Sequence, residues 1–187
     1  NTVAENLIYG FLIVLLVVVF LLGDIRSGLV VASVIPLTLF FALSLMYLFG
    51  VDANLMSLGA IDFGIIIDGA VIIVEYIAFK ITGSSFELFR LSKVDRRKKM
   101  DAIAVNGANK MMNSAVFGQL IIIIVFIPIL SLAGVEGKMF RPMALTFCFA
   151  LLGAMLFCFT YVPMISAAFL KPAKKEKNNI STRIVKG

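Results

Sequence analysis

Five long apolar runs constrain the fold of this chain more than any other feature. They cover residues 3–22, 28–49, 55–79, 113–133 and 140–170. As a helix, at about 1.5 Å per residue, each run is long enough to cross a hydrocarbon core of about 30 Å. The chain is 61% hydrophobic, and no segment between the runs is large enough for a soluble domain. The sequence therefore predicts an all-α, polytopic membrane bundle of five transmembrane helices within residues 1–171.

The basic residues predict how this bundle lies in the membrane. All but two of the 17 Lys and Arg residues fall on one predicted side, namely Arg26, the residues of the 80–112 segment and those of the tail. Lys138 and Arg141 are the two on the other side. The positive-inside rule makes the basic side cytoplasmic. We therefore expect a cytoplasmic loop at 80–112, a polar cytoplasmic tail at 172–187, and a third run that crosses from outside to inside.

The third run, residues 55–79, carries three carboxylates: Asp62, Asp68 and Glu75. An ionised carboxylate near mid-bilayer raises the free energy of insertion by about 2.5–3.5 kcal/mol. Each Leu, Ile, Val or Phe lowers it by only about 0.3–0.6 kcal/mol. Acids kept at that cost are expected to face protein or a water-filled cavity. One interpretation is that such an acid locks helix packing. Three acids on one helix, with no basic residue in the same run, favour an ion or proton pathway.

Helical spacing arranges these three acids. Asp68 and Glu75 fall within about 20° of each other around a helix, whereas Asp62 lies about 120° away from Asp68. Axial steps of about 9 Å and 10.5 Å put the acids at different depths, too far apart for direct hydrogen bonds. We therefore expect a relay spread across the membrane, with two of its three acids on one helix face.

Three prolines lie inside predicted spans: Pro36, Pro128 and Pro163. A proline within a helix lacks one backbone donor and leaves a carbonyl without its partner. These positions are therefore candidate flex points. The fourth span also contains an isolated amide, Gln119.

The sequence lacks the residues that several other kinds of functional site need. The chain has no His, and its two cysteines, Cys148 and Cys158, lie about 15 Å apart along one helix, too far for a disulfide or a shared metal ion. No nucleophile with a base and no metal-ligand cluster is visible, so we expect neither an enzyme nor a resident cofactor. The basic run at residues 96–99 is typical of a helix start that faces solvent or lipid headgroups, and we expect no nucleic-acid partner.

Four stretches together resemble the resistance-nodulation-division (RND) exporters. They are the Gly-Asp-x-Arg turn at 23–26 followed by a proline-bearing span, NLMSLGAIDFGIIIDGAVIIVE at 54–75, FIPILSLAGVEGKMFRPMALT at 126–146 and YVPMISAAFLKP at 161–172. The resemblance covers essentially the whole chain and corresponds to transmembrane helices two to six of the first half of such a pump. The third run then corresponds to the family's fourth helix, which is its proton relay.

The acid pattern of that helix is similar to the heavy-metal branch of the family, of the cobalt-zinc-cadmium or copper-silver type. Drug pumps of the family usually have two adjacent acids followed by a glutamate. Here Asp68 matches the first acid and Glu75 the glutamate, but Gly69 stands at the second position, and Asp62 adds an acid in a DFG triplet. The resemblance thus implies that Asp62, Asp68 and Glu75 form the proton relay of a metal-cation antiporter.

The resemblance also implies partners. The chain starts at Asn1 without a basic region that would suit a signal peptide, so we expect a piece of a larger protein. The family pump adds periplasmic porter domains and a second helical half whose lysine is expected to pair with the relay acids. The resemblance also implies a homotrimer in the lipid of a bacterial inner membrane, with a periplasmic adaptor and an outer-membrane channel as partners. Divalent metal cations and protons would be the transported species.

Two other functions stay open at this point. One is an RND-family exporter of drugs or lipids, against which the missing second acid argues. The other is a non-transporting membrane module, such as a sterol-sensing or translocation auxiliary, which would not need acids at three depths.

Overall fold

A computed structural model of the chain describes residues 2–52 and 63–170, and six α-helices make up nearly all of that part. They are α1 (Thr2–Leu22), α2 (Ile25–Phe49), α3 (Phe63–Gly83), α4 (Ser85–Arg90), α5 (Lys93–Leu130) and α6 (Gly134–Phe169). The described residues contain no strand. The predicted all-α membrane bundle is therefore confirmed.

Four of these helices are long and apolar enough to cross a membrane: Ala4–Leu22 within α1, and the whole of α2, α5 and α6. The predicted third span begins in residues that lie outside the described part, and α3 contains the rest of it. Residues 80–112, predicted as a cytoplasmic loop, hold α4 and the first half of α5, which runs without a break into the predicted fourth span. The depths at which the helices enter the membrane stay predictions.

A tight turn joins α1 to α2. Gly23 has a positive φ of 64°, a conformation that glycine adopts without steric cost, and its N–H donates to the Val19 carbonyl at 2.9 Å. Asp24 then caps α2 by accepting a hydrogen bond from the Arg26 N–H at 3.4 Å, so the helix starts at Ile25. A Cβ atom at Gly28 would collide with the Val19 side chain. The two helices therefore form a closely packed hairpin.

Helix α3 is the centre of the bundle. It contacts each of the five other helices of the described part, and α6 packs against α2, α3 and α5. In lipid no hydrophobic force draws helices together, so close packing at small residues holds them. A Cβ atom at Gly107 of α5 would lie 2.8 Å from Ile77 of α3, and one at Gly153 of α6 would lie 2.5 Å from Phe41 of α2.

One end of the bundle gathers most of the described basic residues, and we refer to it as the basic end. Here the turn before α2 meets the end of α6, because Arg26 Nη1 donates to the Phe169 carbonyl at 3.5 Å. The first turns of α5 lie beside the same end of α6. Ser92 caps α5 by accepting a hydrogen bond from the Asp95 N–H at 3.3 Å. That this end is the cytoplasmic side stays a prediction.

Candidate proton-relay site

Two of the predicted relay acids lie on one exposed stripe of α3. The acid stripe consists of Asp68, Ile72, Glu75 and Phe79, all of which are exposed in this chain. Ile72 is 39% exposed and Phe79 65% exposed. The spacing of four, three and four residues keeps the stripe straight along the helix. Asp68 and Glu75 therefore share a face, as their spacing predicts. Asp62 lies outside the described residues.

The opposite face of α3 is buried among the other helices. Its fully buried side chains, each at most 1% exposed, are Ile66, Ala70, Ile73, Val74, Ile77 and Ile81. Helices α1, α2, α5 and α6 all contact α3, whereas the four residues of the acid stripe stay exposed within the described part of the chain. The central helix of this bundle thus carries its two described acids on its more exposed face.

Two lysines lie near the inner part of the acid stripe. Lys80 Nζ lies 5.8 Å from the centre of the Tyr76 ring, and Lys110 Nζ of α5 lies 5.5 Å from it. Both distances are within the range of a cation–π contact. Tyr76 follows Glu75 in the chain, so both lysines contact the residue next to this acid. Within the described residues, Glu75 makes no salt bridge.

Gly69 stands at the position that resembles the second acid of drug pumps, and side chains from two other helices pack against it. A Cβ atom at Gly69 would lie 3.2 Å from Gln119 Nε2 of α5 and 3.3 Å from Cys158 Sγ of α6. Gln119 is only 3% exposed, and neither its Nε2 nor its Oε1 atom has a hydrogen-bond partner in the described part of the chain. An unpaired buried amide costs about 1–3 kcal/mol. Sequence reasoning gave Gln119 no role, although an isolated amide in an apolar run is the signal that could have drawn attention to it.

The three candidate flex points all lie inside helices, as predicted, but in different surroundings. Pro36 in α2 and Pro128 in α5 are exposed, whereas Pro163 in α6 is fully buried. Within one turn of Pro36 and of Pro163, a hydrogen bond joins α2 to α6, because the Tyr161 hydroxyl donates to Ser33 Oγ at 3.1 Å. Because Pro163 is buried, movement there would have to disrupt its packing, whereas Pro36 and Pro128 are exposed and less constrained. Their role as hinges stays a prediction.

The described ranges show no group of three or more His, Cys, Asp or Glu side chains that could hold a metal ion. Cys148 and Cys158 are both free thiols, and Cys158 is fully buried against Gly69. The described part of the chain therefore offers no cage for a metal cation.

Comparisons with known proteins agree with the predicted resemblance. The model of the AcrB/AcrD/AcrF family matches residues 1–186. The chain is 44% identical over 179 residues to the cobalt-zinc-cadmium resistance protein CzcA of Cupriavidus metallidurans, covering 95% of this chain and 16% of CzcA. It is also 44% identical over 179 residues to protein HelA of Legionella pneumophila, covering 96% of this chain and 17% of HelA. The chain thus spans about a sixth of the length of these relatives.

The fold is also similar to a solved structure. The X-ray crystal structure of a heavy metal efflux pump superimposes with a TM-score of 0.68 and 36% sequence identity, covering 89% of this chain and 15% of that pump. The resemblance to the heavy-metal branch of the RND exporters, drawn from the acid pattern of one helix, is confirmed by these comparisons.

Proposed function

This chain belongs to the AcrB/AcrD/AcrF family, and from that membership we propose that it is the transmembrane part of a proton-driven exporter of divalent heavy-metal cations. Relatives that match nearly all of this chain are named for resistance to cobalt, zinc and cadmium and to nickel and cobalt. The transported cation is the substrate of the intact pump. Its binding residues belong to the porter domains that the resemblance implies.

The observation that carries this proposal is the acid stripe. Helix α3 packs on every other described helix, yet Asp68 and Glu75 are exposed. Exposure of two carboxylates to lipid is costly, so in the intact pump a further element must cover the stripe. The second helical half, with its expected lysine, would supply both the cover and the positive charge. The acids would then lie between the two halves, where a change in their charge can alter helix packing.

In the proposed mechanism, protons enter from the periplasm and load Asp62, Asp68 and Glu75 in turn. Each proton neutralises a buried charge. The neutral helix can then shift against its neighbours, because the loss of charge changes which packing arrangement is more favourable. Proton release to the cytoplasm restores the charge and the original packing. Pro36 and Pro128, exposed within α2 and α5, are the positions at which those helices could bend.

The packing at Gly69 supports metal export over drug or lipid export within the family. A second acid at this position would crowd Gln119 and Cys158, whose side-chain atoms already lie 3.2 Å and 3.3 Å from where its Cβ atom would be. The intact pump is proposed to be a trimer in a bacterial inner membrane that works with a periplasmic adaptor and an outer-membrane channel.

Metal resistance in cells tests this proposal. The intact pump with Asp68→Asn, a substitution that keeps the size of the side chain and removes its proton exchange, should be expressed and inserted normally but fail to protect a metal-sensitive strain. Asp101→Asn is the matched control, because Asp101 is exposed on α5 near the basic end. This control should retain resistance. Full resistance in the Asp68→Asn strain would overturn the proposed relay.

A further inference from the structure

A cleft of about 350 Å³ opens at the basic end of the bundle, between the first turns of α5 and the last turn of α6. Three basic side chains line it: Lys93, Arg96 and Arg97. The rest of its lining is apolar or small and consists of Phe89, Met100, Ala167, Ala168 and Leu170. The cleft is thus basic on its α5 side and apolar towards α6, which is one of the helices long and apolar enough to cross the membrane.

The three basic residues differ in their contacts with the protein. Arg96 is occupied by protein, because its Nε atom donates to the Leu88 carbonyl at 2.9 Å and its Nη2 atom to the Leu91 carbonyl at 3.5 Å. These bonds hold α4 against the start of α5. Lys93 and Arg97 lie one turn apart, are exposed, and form no salt bridge within the described residues. Two cationic groups on one side of the cleft are thus available to an anion.

The surface around the cleft is apolar as well as basic. Phe86 is 73% exposed, Phe89 44% and Val94 65%. Arg90 stacks over the Phe86 ring at 5.2 Å and Arg96 over the Phe89 ring at 5.9 Å. Exposed aromatic side chains interleaved with cations are typical of protein segments that lie in the headgroup layer of a membrane. These surroundings suit a cleft at the level of lipid headgroups.

We propose that this cleft binds an anionic phospholipid of the cytoplasmic leaflet. Lys93 and Arg97 contact the phosphate of its headgroup, and the acyl chains lie against Met100, Ala167 and Leu170. A free phosphate ion would use only the basic side of the cleft and leave its apolar side unoccupied. A zwitterionic lipid would lack the net charge that two cations favour. The binding of lipid here would fix α4 and the start of α5 to the end of α6.

Native mass spectrometry of the intact pump in mild detergent tests this site. Phosphatidylglycerol and phosphatidylcholine with identical acyl chains are offered in equal amounts, and bound lipids are counted. The wild-type pump should retain phosphatidylglycerol preferentially. The double variant Lys93→Gln/Arg97→Gln should bind it at least about tenfold more weakly, because it loses both cations that face the lipid phosphate.

Two further variants distinguish lipid binding in the cleft from non-specific attraction to surface charge. Arg90→Gln/Lys98→Gln removes the same charge from exposed residues that do not line the cleft, and it should bind phosphatidylglycerol as the wild type does. Ala168→Phe keeps the charge and fills the cleft, and it should lose the lipid while the trimer stays intact by size-exclusion chromatography. Equal loss in both double variants, retention in Ala168→Phe, or complete displacement of the lipid by millimolar inorganic phosphate would each overturn the proposal.

Discussion

Gly69 on α3 faces Gln119 on α5 so closely that a Cβ atom at position 69 would lie 3.2 Å from the Gln119 Nε2 atom. Cys158 of α6 closes the same space from the other side, with its Sγ atom 3.3 Å from that Cβ position. Three helices meet here so closely that a side chain at position 69 would require its neighbours to shift by a few tenths of an ångström. The glycine that stands in place of a second acid is therefore part of the packing of the bundle.

Gly69→Asp should destabilise the intact pump. Its carboxylate would enter a space filled by Gln119 and Cys158, and overpacking of this kind costs about 1–3 kcal/mol. The variant should unfold at a lower temperature in detergent than the wild type. Gly83→Asp is the matched control, because nothing lies within 4 Å of a Cβ atom at Gly83 on the same helix. Adding Gln119→Ala should restore part of the lost stability. An unchanged unfolding temperature for Gly69→Asp would show that the contact is not tight.

The orientation of the bundle predicts which residues a membrane-impermeant thiol reagent reaches. Single cysteines are placed at Ala102 and Val135 in a pump that otherwise lacks reactive thiols. Both positions are exposed, on the first half of α5 and at the start of α6 respectively. The cysteine at position 102 should be labelled only from the cytoplasm, and the one at position 135 only from the periplasm. The reverse pattern would invert the direction of the proposed relay.

The salt bridge between Glu87 and Lys99 predicts how α4 responds to acid. The hydrogen bond from Lys99, and then its charge, hold the pKa of the Glu87 carboxyl below its usual value of 4.5. A lowered pKa in the folded state means that the pair contributes stability above about pH 4.5 and loses it as pH falls through the folded-state pKa. Because both groups are exposed, the contribution is small.

Hydrogen–deuterium exchange of the α4 amides measures this effect. Glu87→Gln should exchange modestly faster than the wild type at pH 7, whereas Glu136→Gln, an exposed control on α6, should not change α4. If Glu87→Gln exchanges at the wild-type rate at neutral pH, the salt bridge does not hold α4.

Local rules account for much of this structure. The seven-residue spacing of Asp68 and Glu75 is nearly two helical turns, so their common face follows from the period of the helix. The turn at residues 23–26 was likewise predictable, since Gly23 and Asp24 are residues that end and begin helices. Hydropathy, however, marks where a chain enters lipid and does not mark helix ends. It therefore placed the start of the fourth span at residue 113, although α5 begins at Lys93 under its Ser92 cap.

Tertiary packing explains what the sequence could not predict. The neighbours of Gly69 come from Gln119 and Cys158, on two helices distant in the chain, and no local pattern states that they meet. The cleft at the basic end likewise needs the end of α6 beside the start of α5. The spacing of the acids shows which of them share a face, but whether that face is covered depends on how the other helices pack.

Proton-coupled metal flux through the reconstituted pump tests the relay most directly. The intact protein is placed in vesicles that contain a trapped metal-sensitive dye, and a pH gradient is imposed. Asp68→Asn should abolish gradient-dependent flux, Glu75→Gln should reduce it partially because water near the cytoplasmic end can take over its role, and Asp101→Asn should leave it unchanged. Flux at the wild-type rate and with the wild-type dependence on the gradient in Asp68→Asn vesicles would contradict the assignment of Asp68 as the obligatory proton carrier.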